Sequence, residues 1–270
     1  MVREFQFYIV PTPIGNIQDI TYRAIEVLKE VDLIACEDTR NTQKLLNHYD
    51  IKTKCISYHK YNEKERVQFF LDELSSGKRI ALVSDAGTPM ICDPGEVIID
   101  SLIKNHIAFT ALPGACALTT FLSQVPRKDE TFTFIGFIPR TEKQIAEVVQ
   151  SNKCNNLVFY ESPERILKTL EIIKKIRGNV NIGLGRELSK LFEEVNIENI
   201  SNVLEHYKDG IKGEIVCMIY ADEIYDDCNI DDKIRDLKSK NFRDKDIAVI
   251  LSTLYKINKN EVYKRVLEIC

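Results

Sequence analysis

Short apolar runs alternate with amphipathic segments over residues 5–123, and this alternation constrains the fold more than any other feature of the sequence. Runs such as 33–36 and 80–83 have the length and composition of buried strands, and 63–74 has the apolar spacing of a helix. Strands that alternate with helices form mostly parallel sheets, because each parallel crossover needs a long connection. A second set of strands and helices follows up to residue 220, so we predict an α/β protein.

The composition of the chain changes twice after the first set of elements. Residues 124–130 are polar and include Pro126, which indicates a linker. Residues 222–232 carry six acids and no base, which indicates a second, solvated linker. We therefore predict an N-terminal α/β domain over 1–124, a second α/β domain over 125–222, and an acidic linker with a basic helical module over 223–270.

The last segment has its own charge and periodicity. Residues 233–268 hold ten Lys or Arg against five Asp or Glu. The apolar spacing predicts three short helices near 230–239, 244–254 and 259–268, an arrangement typical of a helix-turn-helix.

The overall composition excludes several classes of protein. The formal net charge is −4, so any contact with nucleic acid must come from a local basic patch. None of the eight cysteines forms a C-x-x-C pair and the four histidines are scattered, so we expect no metal site. No apolar run approaches the ~20 residues that span a bilayer, and no signal-peptide pattern is visible, so we expect a cytoplasmic protein and no membrane partner.

The loop 84–95 is the strongest indication of a ligand site. It joins the apolar run 80–83 to the apolar run 97–99, and it holds two glycines, two prolines and two aspartates. In open α/β sheets, ligands bind just beyond the carboxyl ends of the strands. We expect Asp85 to contact the ligand, because it comes first after the strand, and Asp93 to cap the helix that starts at Pro94.

Other polar loops follow other predicted strands. Glu37 and Asp38 come directly after one of them, where they could act as a base or as a helix cap, and capping fits at least one of them. The turn 12–16 can present backbone N–H groups, although a plain strand-to-helix turn remains an equal alternative. The loops 112–117, 159–163 and 185–190 add small residues, an acid and cations at the same edge.

Together these loops resemble the tetrapyrrole-methylase superfamily of S-adenosylmethionine enzymes, and within it the branch that methylates small-subunit (16S) ribosomal RNA. The similarity covers residues 5–220, with the same order and spacing. The matching strings are TPIGN at 12–16, DIT at 19–21, EDTR at 37–40, SDAGTP at 84–89, DPG at 93–95, LPG at 112–114, GF-IPR at 136–140, FYESP at 159–163, GREL at 185–188, LFEE at 191–194 and GE at 213–214.

The resemblance implies a fold, a cofactor and a partner. It implies two α/β domains with S-adenosylmethionine in the cleft between them, a homodimer, and small-subunit rRNA as substrate, within the assembled subunit. A small basic C-terminal module is also typical of this branch. The implied cofactor-binding residues are Pro13, Gly15, Asp85, Gly87, Thr88, Pro89, Gly114, Ala115, Ala117, Tyr160 and Ser162.

The implied reaction is methylation of the 2′-hydroxyl of a cytidine. A 2′-hydroxyl is a poor nucleophile and needs an acceptor for its proton. Asp38 and Glu161 are the first candidates for that base. The candidates for phosphate contacts are Arg40, Arg140, Arg165, Arg186 and Lys190, although a plain surface role stays open for the last three. Methylation of a corrin-type ring or another small molecule is the alternative activity, and an RNA-binding protein without activity is a third possibility.

Overall fold

The computed structural model describes residues 5–127, 131–221, 230–255 and 257–269. The chain forms two compact units, Met1–Tyr220 and Ala221–Cys270. The first unit holds two five-stranded sheets with their helices, and the second holds three helices. The predicted division of the first unit at residue 124 falls between the two sheets and remains a prediction.

The first sheet is entirely parallel and has the strand order β3-β2-β4-β1-β5. Two of its three inner strands, β2 and β4, are buried at every position, which explains why their sequences are continuous apolar runs. The strands are β1 Phe7–Ile9, β2 Leu33–Cys36, β3 Lys54–Ser57, β4 Ile80–Val83 and β5 Phe109–Ala111.

Five helices accompany this sheet. They are α1 Tyr22–Glu30, α2 Thr39–His48, α3 Glu63–Ser75, α4 Glu96–Lys104 and α5 Ala117–Leu122. One apolar cluster joins the sheet to α1 and α2, and another joins it to α3 and α4. The connection after β1 therefore runs over one face and the connection after β4 over the other. Because β1 and β4 are neighbours, their loops diverge at a topological switch point, where open α/β sheets bind ligands.

The second sheet is mixed and has the order β6-β7-β10-β8-β9. Only β6 and β7 are parallel, and the other three pairs are antiparallel. Its elements are β6 Phe132–Phe137, α6 Glu142–Ser151, β7 Asn156–Glu161, α7 Pro163–Arg177, β8 Asn181–Arg186, β9 Glu194–Asn199, α8 Ile200–His206 and β10 Ile215–Ile219.

The two faces of this second sheet have different neighbours. One face packs on α6, α7 and α8. The other presents Val158, Val216 and Met218 to Phe121 and Ile14 of the first half, so a shared apolar cluster joins the halves. Helix α5 lies in this cluster, which fixes the carboxyl edge of the first sheet against the second sheet.

One predicted strand is displaced. The apolar residues at 191–195 predict a strand there, but β9 begins at Glu194, and Leu191 and Phe192 are 91% and 66% exposed in the preceding turn. Positive φ angles at Glu187 and Ser189 turn the chain before it rejoins the sheet. An apolar pair in a turn therefore imitates the start of a strand.

The second unit consists of α9 Ile230–Ser239, α10 Asp244–Tyr255 and α11 Lys259–Glu268. It has its own core, formed mainly by Ile234, Ile247 and Val266. The three helices agree with the predicted positions. None of the helices in the described part of the chain has the length and apolar character needed to cross a membrane.

Candidate active site

A cavity of about 420 Å³ lies between the carboxyl edge of the first sheet and the second sheet. Its size is within the range of small-molecule sites, and its lining is mainly apolar with a few polar groups, as such sites usually are. The lining residues are Ile14, Asp85, Ala86, Gly87, Thr88, Ile91, Cys92, Asp93, Cys116, Ala117, Phe137, Tyr160, Glu161, Ser162, Pro163, Leu188, Glu214, Ile215 and Val216.

The loops at the switch point hold each other in place. The Thr12 N–H donates to the Gly87 carbonyl at 2.9 Å, and the Gly87 N–H donates back to the Thr12 carbonyl at 3.0 Å. Gly87 has a φ of +82°, a conformation that costs any other residue strain, which explains the glycine at this point of the loop. Gly95, the other glycine of this loop, also has a positive φ, of +148°.

Further hydrogen bonds join this loop to the other side of the cavity. The Thr88 hydroxyl donates to the Ala115 carbonyl at 2.9 Å. The Leu118 N–H, in the first turn of α5, donates to the Tyr160 hydroxyl at 3.1 Å. Burial raises the pKa of Tyr160, so this phenol stays protonated. The cavity walls are thus linked by fixed contacts, which favours a preformed site.

An acidic cluster faces the cavity from the first sheet. The Asp85 carboxylate accepts from the Asp38 N–H at 3.0 Å and from the Asn41 amide at 3.3 Å. Burial, and then the charge of Asp85, raises the pKa of Glu37. Among the described residues, no group of three or more His, Cys, Asp or Glu side chains could hold a metal ion.

The expected capping role of Asp93 is wrong. Helix α4 begins at Glu96, and its N-terminal cap is Gly95, which makes no side-chain hydrogen bond. Asp93 instead lines the cavity near Ser84, whose hydroxyl donates to the Gly87 carbonyl at 2.9 Å. Burial, with the charges of Glu37 and Asp85, raises the pKa of Asp93 to about 6. The glycine between Asp93 and the helix is the sequence signal that could have excluded capping.

Asp38 caps α2, as one of its two expected roles requires. Its carboxylate accepts from the Arg40 N–H at 2.8 Å, and its two oxygens pair with the Arg40 guanidinium at 3.1 and 2.8 Å. These contacts lower the pKa of Asp38 to about 2. A carboxylate with so low a pKa is a weak base, and Asp38 is not among the residues that line the cavity.

Glu161 lines the cavity, but its carboxylate is held from several sides. One oxygen accepts from the Ser162 N–H at 2.8 Å. The other accepts from the Thr169 hydroxyl at 2.9 Å and pairs with Arg165 at 3.1 Å. The Glu161 side chain is only 1% exposed, so these contacts favour a structural role.

The predicted phosphate-binding cations differ in how they are held. Arg186 pairs with Glu194 at 3.0 Å, and Lys190 pairs with two glutamates at 2.8 Å each. Arg165 donates to a backbone carbonyl besides its pair with Glu161. Arg40 is exposed but paired. Arg140 is exposed and has no ion pair within the described ranges.

The predicted cofactor residues separate into two groups. Six of them line the cavity: Asp85, Gly87, Thr88, Ala117, Tyr160 and Ser162. The others, Pro13, Gly15, Pro89, Gly114 and Ala115, do not line it. A Cβ on Gly15 would lie 2.2 Å from Lys190 Cγ, and one on Gly114 would lie 2.5 Å from Pro11 Cβ, so close packing explains these two glycines.

Sequence reasoning did not select several lining residues as site residues. Phe137, Leu188, Glu214 and Val216 come from the ends of strands or turns in the second half. Their position after or before a strand was visible in the sequence. Their approach to the first sheet was not, because it depends on how α5 packs on the second sheet.

The chain matches the model of the Tetrapyrrole (Corrin/Porphyrin) Methylases over residues 6–204. It is 46% identical over 215 residues to the ribosomal RNA small subunit methyltransferase I of Halalkalibacterium halodurans. The matched region covers 78% of this chain and 74% of that protein. It is 41% identical over 270 residues to the protein of the same name from Buchnera aphidicola, which covers 97% of this chain and 96% of that protein.

Solved structures show the same fold at low sequence identity. A diphthine synthase has a TM-score of 0.63 at 14% identity and covers 79% of this chain and 89% of its own. The methyltransferase CobJ has a TM-score of 0.60 at 15% identity, and the match covers 81% of this chain and 95% of the CobJ chain. At these identities the likeness concerns the fold alone.

Proposed function

The chain belongs to the tetrapyrrole (corrin/porphyrin) methylase family, and we propose that it transfers a methyl group from S-adenosylmethionine to the 2′-hydroxyl of a cytidine in small-subunit (16S) rRNA. The observation that carries the proposal is the cavity at the switch point, with loops of both halves in its lining. The names of the relatives supply the class of acceptor, because two of them are called ribosomal RNA small subunit methyltransferase I at 41% and 46% identity.

The residues of the cavity fit such a methyl donor. The donor is a cation at sulfur and supplies an electrophilic methyl group. Asp85 brings negative charge to the cavity, which suits the sulfonium and the ammonium of the donor. Ile14, Leu188 and Val216 offer apolar surface to a flat adenine ring.

The cations outside the cavity suit an RNA acceptor. Arg140 is exposed near Phe137, which is itself 61% exposed at the cavity. An exposed cation can bind a phosphate and an exposed ring can stack on a base. In the second unit, Lys233, Lys245 and Lys264 are exposed. With a net charge of −4 we expect weak affinity for bare RNA and a preference for the assembled subunit.

We also propose a homodimer. Leu191 and Phe192 stand largely exposed in the turn before β9, and adjacent exposed apolar side chains commonly mark a protein contact. Light scattering after size exclusion tests this proposal. A Leu191→Glu and Phe192→Glu double variant should shift the mass towards one chain, and a wild-type mass of a single chain would contradict it.

Two experiments test the proposed function. Titration calorimetry with S-adenosylmethionine and with S-adenosylhomocysteine should show binding of both. A transfer assay should then use small subunits from cells that lack this protein, the RNA extracted from them, and a uroporphyrinogen as a competing acceptor. Mass spectrometry should find 2′-O-methylcytidine in the RNA of the subunits.

The outcomes separate the alternatives. Methyl transfer only to the tetrapyrrole would favour a small-molecule enzyme. Absence of calorimetric binding with retained RNA affinity would favour an RNA-binding protein without activity. Methylation of a base carbon or nitrogen instead of the ribose would correct the position and keep the RNA as substrate.

A further inference from the structure

Transfer to a 2′-hydroxyl requires a group that takes the hydroxyl proton, and the cavity restricts the choice. The inference below rests on the proposed function. Four carboxylates line the cavity: Asp85, Asp93, Glu161 and Glu214. A proton acceptor must reach the acceptor hydroxyl and must have lone pairs that are not already bound to stronger donors.

Three of the four carboxylates are engaged. Asp85 accepts from a backbone N–H and from an amide, both at the N-terminal end of α2. Glu161 accepts from a backbone N–H and a hydroxyl and pairs with Arg165. Glu214 pairs with Lys190 at 2.8 Å. Each of these contacts occupies a carboxylate lone pair that a proton acceptor would need.

Asp93 differs from the other three. Within the described part of the chain no cation pairs with it, and the neighbour that favours its charged form is the neutral side chain of Ser84. It is half-buried, and it does not cap α4, whose N-terminal cap is Gly95. Its charged neighbours, Glu37 from the end of β2 and Asp85 from the end of β4, are both acids.

We propose that Asp93 accepts the proton of the ribose 2′-hydroxyl during methyl transfer. The 2′-oxygen forms a bond to the methyl carbon while the bond from that carbon to sulfur breaks, and its electron pair stays on sulfur as a neutral thioether. The hydroxyl proton passes to Asp93, which becomes a neutral carboxylic acid. One positive and one negative charge are thus lost together, and no further reactant is required.

The surroundings of Asp93 suit this role. Burial and the charges of Glu37 and Asp85 disfavour its ionised form and raise its pKa to about 6. Cys92 is adjacent, and burial, followed by the charge of Asp93, raises the pKa of that thiol. His59 faces Glu37 and favours the charged form of that glutamate. The rate should therefore rise with pH through about 6 and level off above it, because only deprotonated Asp93 takes the proton.

The test compares Asp93→Asn with two other Asp→Asn variants in the full-length protein. Asp100→Asn, on the exposed surface of α4, is the matched control, and Asp38→Asn tests the competing base. Single-turnover rates on small subunits at saturating donor are measured from about pH 5 to about pH 8.5. Calorimetry with S-adenosylhomocysteine reports the donor site separately, and circular dichroism reports folding.

We expect Asp93→Asn to slow transfer by ~100-fold or more and to lose the pH dependence near 6, while affinity for S-adenosylhomocysteine changes less than about threefold. A residual rate within about fivefold of the wild type with the pH dependence intact overturns the proposal. A loss of affinity that matches the loss of rate also overturns it, and makes Asp93 a contact of the donor.

Two further outcomes keep the test decisive. If Asp93→Asn does not fold, the wild-type profile decides alone, and a flat rate between about pH 5 and 7 overturns the proposal. If the wild-type protein methylates no ribose, the proposed function itself has failed and this inference falls with it. The two failures are distinguishable. If only this inference fails, the wild-type protein still forms 2′-O-methylcytidine, whereas if the proposed function fails it forms none.

Discussion

The two walls of the cavity hold their charges in different ways. We call Asp85–Asp93 the first wall and Tyr160–Pro163 with Glu214–Val216 the second wall. In the first wall, Asp93 has no cationic partner among the described residues. In the second wall, both carboxylates are paired with cations. The first wall therefore keeps a carboxylate without a cationic partner in the described part of the chain, whereas each carboxylate of the second wall has one.

The sheets behind the walls explain this difference. The first wall follows β4 at the switch point, where loops are free to diverge and to bind ligands. The second wall lies at the ends of β7 and β10, which pair antiparallel with each other from Ile215↔Glu161 onwards. Glu161, at the end of the inner strand β7, needs internal partners because its side chain is buried from water, whereas Glu214 pairs with Lys190 at the surface.

The largest expected effect concerns the paired second wall. Glu161→Ala removes the acceptor of Arg165, of the Thr169 hydroxyl and of the Ser162 N–H. We expect a loss of about 3 kcal/mol in the free energy of unfolding, because a buried pair loses one partner. Urea unfolding measures it. Glu164→Ala, at an exposed side chain in the first turn of α7, is the control and should cost less than about 1 kcal/mol. A similar cost for both would show that the pair adds no stability.

The backbone of the first wall offers a smaller effect with a close control. Gly87→Ala should cost about 1–2 kcal/mol, because φ is +82° there. Its Cβ would also lie 3.2 Å from Ile14 Cγ2, so we expect weaker donor binding by calorimetry. Gly77→Ala has a similar φ of +87° with no heavy atom within 4 Å, and should cost similar stability without any change in donor affinity. Equal donor affinity in both variants would separate Gly87 from the donor site.

The unpaired carboxyl of Asp93 in the first wall should also affect the stability of the folded protein. Since the pKa of Asp93 is raised from 3.8 to about 6 in the folded protein, its charge destabilises the fold above about pH 6 and has no effect below about pH 4. Asp93→Asn should therefore raise the melting temperature near pH 7.5 by roughly 2–4 °C, which corresponds to about 1 kcal/mol after allowance for solvent screening. The gain should vanish near pH 4.

Asp100→Asn is the control for this pH dependence, since its carboxylate is exposed and pairs with Lys104 at the surface. It should show no gain at either pH. Destabilisation by Asp93→Asn near pH 7.5 would mean that the carboxylate makes a stabilising contact, and would remove the contrast between the two walls.

Much of the fold was predictable from the sequence, because it depends on local patterns. The buried runs at β2 and β4 and the three helices of the second unit follow from periodicity alone. The mixed pairing of the second sheet could not be predicted in this way, since strand order depends on contacts between distant segments. Leu191 and Phe192 show the same limit, because exposure cannot be deduced from an apolar pair.

The site was predictable at the level of loops and less so at the level of roles. Asp85 and Tyr160 line the cavity, because loops after strands meet at one edge, and their contact with a cofactor remains a prediction. Asp93 was misassigned, since α4 begins at Glu96, two residues after the predicted start at Pro94, and Asp93 therefore lies in the cavity and not at the cap. Arg165 and Thr169 follow Glu161 closely in the sequence, so their contacts with it are local. The burial of the Glu161 side chain, in contrast, depends on how the whole second half packs.

The smallest expected effect extends the contrast between paired and unpaired groups to the cations. Arg140 is exposed without an ion pair in the described ranges, whereas Arg186 pairs with Glu194 at 3.0 Å. If Arg140 binds a phosphate, Arg140→Ala should lower the slope of log Kd against log salt for small subunits by about 1, with a loss of affinity of only several-fold. Arg140→Lys keeps the charge and should keep the slope.

Arg186→Ala is the matched test of a paired cation. It should leave the salt slope unchanged and cost about 1 kcal/mol or less in the free energy of unfolding, since its charge is neutralised by Glu194. Filter binding at several salt concentrations measures the slopes. In the reverse pattern, the salt slope is lower in Arg186→Ala and unchanged in Arg140→Ala. That result would mean that RNA breaks the Arg186–Glu194 pair on binding. The pairing seen in the free protein would then not decide which cations contact the substrate.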